Sequence, residues 1–228
     1  MARQARKKNN KQKRRITMET KTVQIKPPNI KTIVFEIKGT APLVVHRFSQ
    51  KAQLSMLEKI RLGSLAKKGK KREAVEPNEV YNGARYISKN GWDGFNATGI
   101  RHALVSACRL VGFKMTLAKL SLFVVQDDWD SVEPQIPLIR IYGKPRRLDM
   151  WGRVETGQAY IIIRPCYDGW SAKVTLRYDA DQFSVDDVAN LLARAGLQVG
   201  ICEGRPDSKN SVGMGWGTFE IAGKNSVK

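Results

Sequence analysis

Apolar positions along the chain fall into short blocks whose spacing switches between the period of a strand and that of a helix. Thr32-Ile33-Val34-Phe35-Glu36-Ile37 is rich in β-branched residues and partly alternating, which predicts a strand with order beginning near Lys31. From Ser49, a candidate N-cap, Ala52, Met56, Leu57 and Ile60 recur at helical spacing. A second helix is predicted from Ile100 to about Val111, with Asn96 or Thr98 as cap and Ile100, Ala103, Leu104, Ala107, Cys108 and Val111 on its apolar face. Leu120 to Gln126 then reads as a strand. Ile136 to Tyr142 and Gln158 to Arg164 read as two more, joined across a basic turn region as a long hairpin. The sharpest signals come next. Ala172 to Tyr178 alternates, Ser184 and Asp187 form a capping box, and Val188, Leu191, Leu192 and Ala195 make a buried stripe. Gly196 is placed to end that helix as a left-handed C-cap, Leu197 to Cys202 follows as a strand, and Gly217 to Ile221 as a last one at the sheet edge.

The stretch Ala172 to Cys202 is thus a βαβ module. Ile33 to Ile37, Ile100 to Val111 and Leu120 to Gln126 form an earlier one, interrupted by a long insertion before its helix. Two such halves predict an α+β protein with a ferredoxin-like or RRM-like βαββαβ sheet and a C-terminal glycine-rich loop. On this reading residues 1–29, which lack periodicity and end in Pro27-Pro28, are a disordered basic arm. Residues 30–228 form the domain, with a basic insertion at about 41–97 and a β-hairpin insertion at about 127–170.

Charge adds a partner to this picture. The 228 residues carry a formal net charge of +19 with a sequence pI near 10.1, and 42% hydrophobic residues are enough to fill a core. Such an excess is self-repelling unless a polyanion neutralises it, and phosphate backbones are the commonest candidate. Apolar runs such as Leu120 to Gln126 are far short of the ~20 residues of a membrane helix. No apolar signal region follows the basic start, so a cytoplasmic location and no membrane partner are expected. Cys108, Cys166 and Cys202 are widely spaced and read as reduced core residues; with His46 and His102 the only histidines, neither a metal site nor a cofactor is expected.

Four features carry candidate chemistry. Arg3, Arg6, Lys7, Lys8, Lys11, Lys13, Arg14 and Arg15 form a phosphate-tracking arm. Lys67, Lys68, Lys70, Lys71 and Arg72 form a second basic run, in a stretch that holds Gly63 and Gly69. Residues 199–221, VGICEGRPDSKNSVGMGWGTFEI, bring Arg205, Lys209, Trp216 and Phe219 together with five glycines, so that cations, stacking rings and open backbone amides occur in one segment. No P-loop or Rossmann spacing is present. His46-Arg47, with Lys51 close behind in HRFSQK, follows the first strand.

The pattern GxxxGRP followed by GxGWGxF after a βαβ half is similar to the signature loop of the RAMP superfamily, RRM-fold proteins that include CRISPR effector backbone subunits. APLVVHRFSQKA, GFNATGIRHALVSACR and VGICEGRP also resemble a group of uncharacterised bacteriophage proteins. The resemblance implies a phage or mobile-element origin and binding of RNA or single-stranded DNA, the insertion corresponding to the variable lobe of the backbone subunits. Metal-independent RAMP ribonucleases use a histidine near the position of His46, so an endoribonuclease is the alternative reading; a structural component of a virion or ribonucleoprotein is another. His102, beside an apolar helix stripe, reads as a structural histidine, and Asp127, Asp128 and Asp130 as a turn. The leading expectation is a non-catalytic protein that holds a single strand in a basic groove, and that lines up along it as a homo-oligomer.

Overall fold

Alternation is clearest between Ser171 and Asp179, and that segment becomes the centre of the largest sheet. The computed structural model describes residues 25–48, 50–62, 76–153, 159–208 and 214–223. Strand β1 (Ile30–Gly39) pairs antiparallel with β10 (Ser171–Asp179) on one side and with β11 (Phe219–Ile221) on the other, while β5 (Leu122–Val125) closes the far edge, giving the order β11-β1-β10-β5. Ile37, Ala172, Val174, Leu176, Tyr178 and Leu122 are all buried on one face. Helices α3 (Thr98–Ala107) and α5 (Val185–Arg194) cover that face with Ile100, Leu104, Val188 and Leu192, each fully buried. Val34 and Phe123, one residue out of phase, are exposed on the other face, as the two-residue period of a strand requires.

Helix α5 starts as its sequence dictates. The Ser184 hydroxyl accepts from the Asp187 N–H at 3.1 Å, and the Asp187 carboxylate accepts from the Ser184 N–H at 3.0 Å. Its end departs from expectation. Gly196 is no left-handed cap: the chain continues through a π-helical turn, Ala195–Val199, and the positive φ falls on Gly200 at 69°. A Cβ on Gly196 would stand 2.1 Å from the Phe219 carbonyl oxygen, so this glycine is where β11 approaches the helix. The predicted strand from Leu197 to Cys202 does not form, and β11 occupies the sheet edge beside β1.

Two further antiparallel sheets flank the first. One has the order β3-β4-β7-β6, from Tyr86–Ile87, Asp93–Asn96, Pro137–Arg140 and Asp128–Trp129. The other has the order β2-β9-β8, from Leu43–Val44, Ala159–Tyr167 and Pro145–Arg153. The expected hairpin between 136–142 and 158–164 is therefore replaced. Leu138 and Ile139, adjacent in sequence, are both fully buried, which only a strand covered on both faces provides, and β7 sits between β4 and β6. Of the basic stretch read as a turn, Arg146 and Arg147 instead lie at the start of β8, the true partner of β9.

The remaining helices are α1 (Gln50–Leu62), α2 (Pro77–Gly83) and α4 (Met115–Ser121). The predicted helix after residue 49 thus forms, but Leu54, Met56, Leu57 and Ile60 are exposed on it. Cys108, Cys166 and Cys202 are all free. Among the described residues no helix is long and apolar enough to cross a membrane.

Candidate nucleic-acid interface

A cleft of about 530 Å³ opens where the start of α3, the segment after β2 and the glycine-punctuated stretch 199–208 meet. The Asn96 side chain accepts from the Thr98 N–H at 2.9 Å and from the Thr98 hydroxyl at 2.7 Å, fixing the first turn of α3. One helical face then presents Thr98, His102 and Ser106 to the cleft. His46 and Val45 form the opposite wall, and Tyr86 of β3 joins them. Burial pushes the Tyr86 phenol up to about 12, so it stays protonated and able to donate.

The third wall is stitched in place by backbone hydrogen bonds. Glu203 N–H donates to Val44 C=O at 3.0 Å, Ile201 N–H to Gly217 C=O at 3.0 Å, and Trp216 N–H to Gly204 C=O at 3.1 Å. Gly204 and Gly217 are required by space: a Cβ would fall 2.4 Å from the Trp216 ring at the first and 1.9 Å from the Ile201 carbonyl oxygen at the second, and both have positive φ. The glycines thus let two chain segments pack closely.

Ion pairs shape the field inside. His46 Nδ1 lies 3.7 Å from Glu203 Oε2, which itself accepts from Arg164 Nε at 2.6 Å. Burial, reinforced by Arg164 and opposed by Glu203, lowers the His46 pKa below its ordinary 6.5, so the imidazole is neutral at pH 7. At the other end the Ser106 hydroxyl and Arg109 both bind Asp207. The Ser106 hydrogen bond, with help from Arg109 and Arg205, holds that carboxyl below the usual carboxylate range. Arg205, half-buried, donates to the Cys202 carbonyl at 3.1 Å and lines the cleft.

Of the residues expected to bind, His46 and Arg205 therefore meet in one cleft. Arg47 does not: it is 5% exposed, its Nε stands 3.0 Å from Asp130 and its Nη2 donates to Glu133 at 3.0 Å. The neighbour of a cleft histidine is thus a buried tie, and Asp130, expected in a turn, is its fully buried counter-ion. Phe219 is 2% exposed and packs edge-on against Trp170 in the core, which removes it as a stacking ring. Trp216 packs against Gly204 rather than lining the cleft. Lys51 lies in α1, whereas Lys67, Lys68, Lys70, Lys71, Arg72, Lys209 and the cations of residues 3–15 lie outside the described residues.

Sequence reasoning missed His102, Tyr86, Thr98 and Ser106. The cap residues Asn96 and Thr98 were the available signal, since they mark a helix start and His102 lies one turn inside it. His102 is exposed on α3 rather than packed beside the apolar stripe. No protein-family model matches the chain, and no curated protein matches it.

Proposed function

We propose that this protein binds single-stranded nucleic acid, RNA in preference to DNA, along the cleft between α3 and the glycine-punctuated segment. The observation that carries the reading is the state of the cleft's acids. Glu203 is engaged by Arg164 and Asp207 by Arg109, so neither carboxylate stands unneutralised against a phosphate. Arg205, two imidazoles and the side chains of Thr98, Tyr86 and Ser106 line the walls of a chain with a net charge of +19. In this reading the basic arm and the lysine run add affinity for any phosphate chain, and the cleft supplies the shaped contact. The fold is read as a ferredoxin-like βαββαβ unit, β1-α3-β5-β10-α5-β11, a reading supported by the antiparallel strand order β11-β1-β10-β5 and by α3 and α5 packing on one face. Together with the loop pattern at 199–219, this favours a RAMP-like protein.

Fluorescence anisotropy with labelled single-stranded RNA and DNA tests the proposal. Binding is expected to weaken linearly with the logarithm of salt concentration, and Arg205→Ala is expected to flatten that slope by about one phosphate contact. Absence of any binding at low salt after stripping copurified nucleic acid would overturn it.

A second reading, a metal-independent endoribonuclease, is favoured by one observation: His46 and His102 line the same cleft. Neutral His46 would take the proton from a ribose 2′-hydroxyl as its oxygen attacks phosphorus, and His102 would protonate the departing 5′-oxygen. RNA cleaved in EDTA, with DNA untouched and cleavage lost in both His46→Ala and His102→Ala, would establish the enzyme. RNA left intact assigns the cleft to binding alone.

A further inference from the structure

Strand β8 is nine residues long and ends its sheet, with β9 on one side and no described strand on the other. Its outer side can be identified. Arg147 lies opposite Pro165, which has no N–H and whose carbonyl accepts from Val45 N–H at 3.0 Å on the β2 side. The backbone N–H and C=O of Arg147 are therefore turned outward, and by the alternation of an antiparallel ladder so are those of Asp149 and Trp151. An edge of this kind is a template for another strand. Strands commonly block it with unpaired lysines, bulges or central prolines, and here the only proline is at the first position, Pro145.

The same edge carries its own complement. Arg147 Nε and Nη2 each donate at 2.7 Å to the two oxygens of Asp149, and both side chains are substantially exposed. Related by a two-fold axis at Leu148, two copies of β8 place Arg147 opposite the partner's Asp149, and Asp149 opposite the partner's Arg147. These are the outward-facing residues that must exchange backbone hydrogen bonds. The next register along sets Asp149 against the partner's Asp149 and is disfavoured by like charge. On the face that carries the charge pairs, Trp151 and Ile161 are directly opposed across the hairpin and are 73% and 71% exposed. The two-fold brings Trp151 against the partner's Pro145, while Leu148 meets the partner's Leu148 on the other face.

We infer that the outer edge of β8 is a self-association surface, on which a second copy of this chain adds its own β8 antiparallel and joins the two three-stranded sheets into one. A second copy fits better than a polyanion here because Arg146, Arg147 and Arg164 of these two strands are engaged, with Asp168, Asp149 and Glu203 respectively. The inference is independent of what the cleft binds.

Sedimentation velocity on the full chain after nuclease digestion tests it. A concentration-dependent dimer is expected. Asp149→Arg and Arg147→Asp each put like charges opposite one another twice, once per symmetry-related pair, and are each expected to weaken the dimer at least about tenfold. The combined Arg147→Asp/Asp149→Arg protein restores opposite charges and is expected to recover the wild-type dimer, a result that misfolding of the single variants cannot produce. A chain that stays monomeric throughout the dilution series overturns the inference. So does a dimer indifferent to both single substitutions, or an assembly that disappears with nuclease treatment because nucleic acid alone had bridged it.

Discussion

The two sides of the cleft are built differently. On one side, the stretch 199–208 follows α5, which an apolar stripe and a capping box hold in place, and Gly204 in it lets the chain approach Trp216 closely. On the other, Arg47, just after β2, and Gln53 of α1 are held by polar contacts: Arg47 reaches Asp130 and Glu133, and Gln53 donates to that same Glu133 at 2.9 Å. The contrast between the two helices is direct. Val188 and Leu192 of α5 are fully buried, whereas Leu54, Met56, Leu57 and Ile60 of α1 repeat at the same helical spacing and are exposed. Apolar periodicity thus predicts a helix in both places but a core in only one. What fastens α1 is polar and depends on residues far away in the chain.

The strongest way to break this comparison is at the buried tie. Arg47→Met removes the cation and leaves Asp130, fully buried, without its counter-charge. Removing one partner of a buried pair costs about 3–5 kcal/mol, because the remaining ion keeps its desolvation penalty. For a chain of this size a loss of that order lowers the melting temperature by roughly 10 °C. Adding Asp130→Asn should return part of the loss, since the second substitution removes the stranded charge. Thermal melts of the single and double variants measure both effects. Equal melting temperatures for wild type and Arg47→Met would show that the tie does not hold this side of the molecule.

On the other side the matching change is milder. Ser184→Ala removes the hydroxyl that accepts from Asp187 N–H while leaving the stripe of α5 in place. The expected cost is about 1 kcal/mol, seen as a shift in denaturant midpoint with an unchanged slope. A cost as large as that of Arg47→Met would mean that the two sides do not differ as argued.

The same division explains what the sequence could disclose. Strands β1 and β10 and helices α3 and α5 are written in local signals: alternation, caps and stripes within a single element. The sheet β3-β4-β7-β6 is not, because β7 declares itself only when Leu138 and Ile139 are seen to be covered on both faces. β11 is legible as a last strand at the sheet edge, but the contact that seats it there, Gly196 admitting the Phe219 backbone, is not. His46 and Arg205 could be proposed from composition alone, but their meeting with Tyr86 and His102 is a product of three separate chain crossings. Arg47 was misjudged for the converse reason: an arginine next to a cleft histidine looks available until Asp130 is placed beside it.

The smallest expected effect, and the most selective for the charge-held side, is in acid. In the folded protein burial lowers the His46 pKa below its ordinary 6.5, so the unfolded chain binds that proton more readily. Stability should therefore fall as pH drops below about 6.5, and His46→Gln should flatten the decline by removing its contribution. Asp187 of the capping box behaves in the opposite sense. Its hydrogen bond from Ser184 lowers a carboxyl pKa, so its contribution is present above the ordinary value of 3.8 and disappears only as the pH falls below that. Between these two windows acid should loosen the His46 side while leaving the capping box intact. Melting curves of wild type, His46→Gln and Ser184→Ala from pH 7 to about pH 5 separate the two. The Ser184→Ala curve should run parallel to wild type, and the His46→Gln curve should converge on or cross it. Parallel curves for all three would show that His46 gives the charge-held side no pH dependence of its own.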